Sequence, residues 1–232
     1  MVYKVTFSGI DGCGKSTTID VISTQLSYLG KTIIHPYRPA FAQLPGGNRE
    51  YFGKTINGLV DDAHQWADTR DSKLLVGLVN VLYGRVWTLL EQYALHKYNP
   101  DVVLMGRDPL LDPFVYSHFY FPHIRVSSDE RIRTIRRVNG AGLADLLIYL
   151  DVSPDQAYQR ILARIEKEKS SGAKDRAKWG HMHENPNDLN FLRDTFEEGI
   201  SLLQEKLGVK IIRVDASRPH HEVIAEVLNI VR

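Results

Sequence analysis

Cysteine is nearly absent. Cys13 is the single one in 232 residues, which excludes an internal disulfide and a cysteine-built zinc site. A reducing compartment, the cytoplasm, is the compatible setting. An excess of one charge sign is also missing. The chain has 29 Lys and Arg against 28 Asp and Glu, a formal net charge of +1. That argues against a general binder of nucleic-acid polymers, so any anion site has to be a local cluster. Long apolar runs are lacking too. The most apolar later stretch, Leu74 to Leu82, is too short to span a bilayer and is flanked by Lys73 and Arg85, so no membrane association is expected. The chain opens directly into a strand-like run, so no secretory leader is expected. No internal repeat or low-complexity linker occurs. With 43% hydrophobic residues, the chain has ample apolar content for a core, and its length suits one α/β domain over 1–232.

What is present begins at the N-terminus. An apolar run from Val2 to Phe7 reads as a buried strand, and Ile19, Ile22, Leu26 and Leu29 share one face of a following helix. Between them lies Gly9-Ile10-Asp11-Gly12-Cys13-Gly14-Lys15-Ser16-Thr17. Strand, glycine-rich turn and helix form the context of a P-loop. Gly9, Gly12 and Gly14 admit backbone conformations closed to other residues. Their N–H groups then form an anion-binding nest at a helix N-terminus. Lys15 is placed for the β- and γ-phosphates of a nucleotide, and the Ser16 hydroxyl for Mg²⁺. Cys13 reads as a small tolerated side chain.

Further along, strands and helices alternate. Strands are expected at 31–35, 101–105, 146–150 and 209–214. Helices are expected at about 51–60, 73–98, 127–138, after Ser153-Pro154, at 188–206 and at 219–231. Pro36 to Arg49 reads as a loop, and Asp112 to Phe121 as a helix or lining loop. Ser128 is a candidate N-cap, and His220-His221 a helix start. The alternation predicts a three-layer α/β fold, a five-stranded parallel sheet with helices on both faces. Ligands bind beyond the carboxyl ends of such strands, where the P-loop, Arg107, Asp151 and Asp215 all fall.

A P-loop alone does not separate GTPases, motor ATPases and kinases. The N-K-x-D motif of GTPases is missing. Asp151 ends an apolar strand but precedes a helix start, so it reads as a helix cap. Arg160 and Arg164 sit one turn apart on one helical face, placed to clamp a transferring phosphoryl group. The polar, basic segment at about 165–187 reads as a mobile lid that excludes water.

At these residues the chain resembles the thymidylate kinase family of P-loop nucleoside monophosphate kinases. The resemblance rests on Phe7 to Thr17, Leu82-Tyr83-Gly84-Arg85, Val102 to Arg107, Asp145 to Val152, the Arg160/Arg164 pair, Asn190-Phe191-Leu192 and Val214 to Ser217. It implies that Gly9 to Thr17, with Ala216 and Ser217 on the adenine side, hold ATP. Lys15, Arg160 and Arg164 would carry the transfer with Asp11 and Arg107. Asp11, Arg38, Tyr83, Arg85 and Arg107 would contact the acceptor, with Arg85 on its monophosphate. Ser16 would hold Mg²⁺. The implied reaction is phosphoryl transfer from ATP to dTMP by a cytoplasmic homodimer joined through the long helix at 73–98, which has apolar residues on more than one side.

Two departures fall on the acceptor side. Gly106 stands where the family has an acid, with Asp108 two residues later. The family's Arg-Glu-Pro-Gly-Gly is replaced by Arg38-Pro39 and a displaced Pro45-Gly46-Gly47. A hydroxyl acceptor needs a carboxylate base more than a monophosphate does, and Asp11, Asp108 and Asp112 are the candidates. The alternatives are a deoxynucleoside or other small-hydroxyl kinase, or a non-catalytic nucleotide sensor. Among the aromatics from Phe114 to Phe121, most read as core, with one ring at the site. His181 and His183 read as part of a solvated loop rather than a metal site.

Overall fold

The computed structural model describes residues 2–37, 39–70, 72–140, 142–170 and 183–232. Its centre is β1 (Tyr3–Ser8), buried along nearly its whole length. Val5 and Phe7 are fully enclosed. On the opposite face Thr6 and Ser8 donate hydroxyl hydrogen bonds to Asp108 (2.8 Å) and Asp112 (2.5 Å). A strand covered on both faces requires layers on both sides.

Five parallel strands form the expected sheet. β1 pairs with β5 (Val102–Met105) on one side and β6 (Leu146–Asp151) on the other. β2 (Ile33–His35) adds beyond β5, and β7 (Ile211–Asp215) beyond β6. The sheet nevertheless has seven strands, in the order β4-β3-β2-β5-β1-β6-β7. The two additions, β3 (Phe41–Gln43) and β4 (Arg49–Tyr51), are antiparallel and come from the stretch read as loop. Each has three residues, too short to show an alternating pattern. Side chains tie their turn instead: Arg49 Nε donates to Gln43 Oε1 at 2.6 Å, and Gln43 Nε2 donates to the Gly47 carbonyl at 2.7 Å.

Helices cover both faces. α1 (Lys15–Tyr28) leaves the P-loop. α2 (Lys54–Asp68) extends beyond the expected short helix, and α3 (Lys73–Tyr98) spans the expected range, with Ser72 accepting from the Leu75 N–H. α4 (Leu111–Tyr120) and α5 (Ser128–Asn139) follow. Ser127, not Ser128, caps α5; the Ser128 hydroxyl reaches Glu198 instead. α6 (Pro154–Ser170) is capped by Ser153, and α7 (Pro186–Leu207) by Asn185. α8 (His220–Val231) closes the chain.

One core joins β1 and β6 to α1, α4, α7 and α8 through residues such as Phe7, Ile19, Phe114, Ile148, Phe196 and Val227. A second packs Ile34, Val103 and Met105 against Leu90 and Ala94 of α3. By length and composition α3 is apolar enough to cross a membrane. Here it packs against α2, α4, α5 and β2, yet leaves Leu74, Leu78, Leu82 and Leu89 exposed. Residues 171–182, within the stretch read as a lid, lie outside the described residues, as does Arg38.

Candidate active site

Two cavities open at the carboxyl end of β1. The first, about 450 Å³, is lined by Asp11 to Thr18, Arg160, Arg164, Ala216, Arg218, His220 and Val223. The backbone explains the loop. Gly9, Gly12 and Gly14 all have positive φ (145°, 84° and 100°). A Cβ at Gly9 would lie 2.6 Å from the Leu150 carbonyl oxygen, and one at Gly12 would collide with the Ala157 carbonyl of α6. Glycine here lets β6 and α6 close directly on the loop. The Lys15 ammonium donates to the Gly9 and Ile10 carbonyls at 2.7 and 3.1 Å, beside the Cys13 sulfur at 3.5 Å. Cys13 is buried, as a small side chain.

Arg160 and Arg164 both reach this cavity. Arg160 Nη2 donates to the Ala216 carbonyl at 2.8 Å, and Arg164 Nη2 to Glu184 at 2.6 Å. With Lys15 and Arg218, four cations face one carboxylate, Asp11. That balance suits a polyphosphate. The Ser16 hydroxyl lines the same space. No cluster of three or more His, Cys, Asp or Glu fit for a metal occurs among the described residues. One hydroxyl beside a polyphosphate site fits Mg²⁺, which keeps waters and takes phosphate oxygens as ligands.

The second cavity, about 220 Å³, lies between α3, α4 and α5. Tyr37, Asn80, Trp87, Arg107, Asp112, Tyr116, Tyr120, Asn139 and His183 are among its lining residues. Its walls are largely aromatic: Tyr37 meets Trp87 edge-on with ring centroids 4.2 Å apart, and Tyr116 stacks near Tyr120.

The cavities meet at Asp11. Its carboxylate accepts from the Tyr116 hydroxyl (3.2 Å), contacts His183 Nε2 (2.6 Å) and lies 3.7 Å from the Arg107 guanidinium. Burial would raise its pKa, but His183, Arg107 and Lys15 outweigh burial and hold the carboxyl well below the usual range. Asp112 has the opposite balance. It accepts from Ser8, from the Asp108 N–H and from Arg107 Nη1 at 3.3 Å. Burial dominates, and its pKa is pushed up to about 6 against the pull of Arg107 and Lys15. Arg107 itself donates to the Tyr37 hydroxyl at 2.9 Å and lies over the Tyr116 ring.

The expected site residues thus separate into groups. Asp11 to Thr17, Arg160, Arg164 and Ala216 converge on the first cavity, with the Gly9 and Ile10 carbonyls beneath Lys15. Ser217 stands next to it, its carbonyl accepting from Gln156. Arg107 lines the second. Tyr83 lies behind that wall, its hydroxyl donating to Asn57 and its ring against Trp87. Arg85 is placed elsewhere: it is exposed and donates to the Asn139 carbonyl at 3.2 Å. Asp151 is no helix cap; its carboxylate receives Arg193 and Arg213. Asp108 is spent on structure, accepting from Thr6 and from the N–H groups of Leu110 and Leu111 at the start of α4. At Gly106 a Cβ would stand 3.4 Å from both the His35 ring and Ile19. The buried His35 imidazole, its pKa lowered to about 4 by burial, occupies the neighbourhood.

Sequence reasoning missed several lining residues. His183 is buried against Tyr116 and Phe119, not solvated. His220 starts α8 as expected and also faces the first cavity. Tyr37, Asn80, Trp87 and Asn139 carry no local motif. Among the aromatics of α4, Phe114 is core, whereas Tyr116 and Tyr120 line the cavity.

No protein-family model matches the chain. It is 27% identical over 158 residues to a thymidylate kinase of Thermoanaerobacter sp. (strain X514), 67% of this chain and 68% of that one. It is 23% identical over 231 residues to a thymidylate kinase of Bacillus pumilus, covering 98% and 94%. Among solved structures, a deoxyadenosine kinase from M. mycoides with dCMP and dCDP bound superposes with a TM-score of 0.61 at 17% identity, covering 98% of each chain. The same enzyme with dATP gives 0.57 at 16% identity. A phosphate-binding loop with a cationic cavity beside it thus stands in a chain that is similar in sequence to thymidylate kinases and shares its fold with a deoxyadenosine kinase.

Proposed function

We propose that the chain is an ATP- and Mg²⁺-dependent kinase that transfers a phosphoryl group to a nucleoside monophosphate, dTMP. The observation that carries this reading is the junction of a cationic cavity and a small aromatic cavity at Asp11. The first suits a triphosphate. The second has the flat, apolar walls of a base site, and its modest volume favours one pyrimidine nucleotide. The relatives named thymidylate kinase support the same acceptor.

The transfer needs little covalent help from the protein. An acceptor phosphate oxygen attacks the γ-phosphorus as the bond to the β-bridging oxygen breaks. Lys15, Arg160 and Arg164 exchange their protein carbonyl and carboxylate partners for phosphate oxygens and neutralise the spreading charge. Arg107, anchored by Asp11 and Asp112, presents its guanidinium to the acceptor phosphate. Ser16 would hold Mg²⁺ beside the donor phosphates, where the ion would supply further charge neutralisation. The exposed Leu74, Leu78, Leu82 and Leu89 support a homodimer through α3, and the reduced single cysteine supports a cytoplasmic setting.

One observation favours a second reading, a deoxynucleoside kinase. Asp112, with its pKa near 6 and its place in the aromatic cavity, has the character of a base for a 5′-hydroxyl. A panel of dNMPs, NMPs and nucleosides with ATP, read as ADP release, separates the two. Turnover of dTMP and not thymidine supports the first; turnover of nucleosides alone overturns it.

A further inference from the structure

A further cavity, about 850 Å³, shares no lining residue with the two that meet at Asp11. Tyr51, at the end of β4, and Phe52 line it, as do Lys54, Asn57, Gly58 and Asp61 of α2. Spacings of three, four and seven put these last four on one helical face. Three features of that face cost stability unless something binds there. α2 begins after Gly53, in the left-handed region at φ 65°, so no side chain caps its first N–H groups, and no acid stands in its first turn. Asn57 is only 9% exposed. Its Oδ1 accepts from the Tyr83 hydroxyl at 3.2 Å. Its Nδ2 bonds to no described residue and is not enclosed by protein, so its hydrogens face the cavity. Gly58 lies inside the helix, where glycine is unfavourable. A Cβ there would meet nothing within 4 Å, so packing does not demand the glycine.

The three features fit one kind of ligand. Uncapped N–H groups at a helix start, with a lysine in the first turn, attract an anion. Lys54 forms no ion pair with a described residue. Asn57 Nδ2, one turn further on, only donates and so adds to the same anion site. The missing side chain at Gly58 lets a flat group approach the helix backbone. The exposed Tyr51 ring supplies a stacking face in the same cavity. The volume lies in the range of small-molecule sites. We propose that this cavity is a second ligand site, for a phosphate monoester that carries a flat ring, as a mononucleotide does. Its phosphate sits at Lys54 and Asn57, and its ring lies between Tyr51 and Gly58. The site backs onto the aromatic cavity, because Tyr83, bonded to Asn57, packs against Trp87 at 4.5 Å between ring centroids.

Amide NMR of the isotope-labelled full chain tests it, with phenyl phosphate, dTMP and inorganic phosphate as probes. Phenyl phosphate and dTMP should shift the N–H signals of residues 54–58 and the side-chain amide of Asn57. Inorganic phosphate should bind there about tenfold more weakly, for want of the ring. Gly58→Leu fills the cavity and should abolish these shifts. Leucine is the better helix former, so this variant should unfold no sooner than the wild type on heating. Lys54→Glu reverses an exposed charge and should weaken phenyl phosphate about tenfold or more. In both variants the shifts that ATP causes at residues 11–17 should stay as in the wild type. Unmoved signals at 54–58, or shifts that survive both substitutions, overturn the proposal. Inorganic phosphate binding as tightly as phenyl phosphate overturns the ligand class.

Discussion

Arg107 and Asp112 face each other at 3.3 Å at the wall of the aromatic cavity, and the same guanidinium lies 3.7 Å from Asp11. One cation thus serves two carboxylates with opposite pKa behaviour. Replacing it by an apolar side chain removes the cation from both and leaves them their neutral hydrogen-bond partners. Arg107→Met is expected to lower unfolding free energy by roughly 2–4 kcal/mol, measured by urea denaturation at pH 7. It should also raise the KM for the acceptor far more than that for ATP, because Arg107 lines only the aromatic cavity.

Lys15 is the charge nearest the P-loop carbonyls. Lys15→Ala is expected to reduce kcat roughly a hundred- to thousand-fold, as for loss of one preorganised electrostatic contact. The protein should remain folded, because the ammonium's bonds to Gly9 and Ile10 sit at a cavity wall. An unchanged rate in a steady-state assay would remove the P-loop from the mechanism.

Asp112 gives a pH signature with a definite sign. Its folded pKa, about 6, lies above the usual carboxylate value of 3.8. Protonation therefore favours the folded state. This contribution is complete below about pH 4 and is lost as pH rises through about 6, on the order of 3 kcal/mol in all. Asp112→Asn should remove it. The difference in unfolding free energy, wild type minus variant, should fall across that window and be flat above it. A difference independent of pH would mean that Asp112 is not raised.

Arg85 donates to the Asn139 carbonyl at the end of α5 and is not among the residues lining the aromatic cavity. Arg85→Ala is expected to cost about 1 kcal/mol of stability and to leave the acceptor KM unchanged. A large rise in that KM, measured with dTMP, would restore the role that family resemblance implies.

The exposed apolar row on α3 is the surface for the proposed homodimer. Leu82 is 68% exposed. Leu82→Glu should convert a dimer into a monomer in light scattering after size exclusion. A wild type that is already monomeric at micromolar concentration would dismiss the dimer.

How far the sequence could be read differs between the two cavities. The cationic cavity was legible because its geometry is local: Gly9 to Thr17 is one continuous turn between a strand and a helix. The Arg160/Arg164 pair is one helical turn. The long α3 was legible because its signal runs over 26 residues. The β3–β4 hairpin was not, since three-residue strands carry no periodicity and are held by Gln43 and Arg49 side chains.

The aromatic cavity was legible in Arg107, in Asp112 as a candidate carboxylate and in the expectation of one ring from the Phe114–Phe121 run. Tyr37, Trp87, Asn139 and His183 come from four separate parts of the chain and share no spacing. His183 read as solvated because its neighbours in sequence are polar, yet contacts from α4 and the P-loop bury it.

The sequence by itself determined the phosphate loop, the alternation of strands and helices and the reserve of arginines, because each depends on residues close together in the chain. Only the tertiary structure decided which arginines enter the site, that Asp112 and not Asp108 faces the cavity, and that His183 meets Asp11. Those outcomes depend on burial and on contacts between distant elements, and neither is a property of any one stretch of chain.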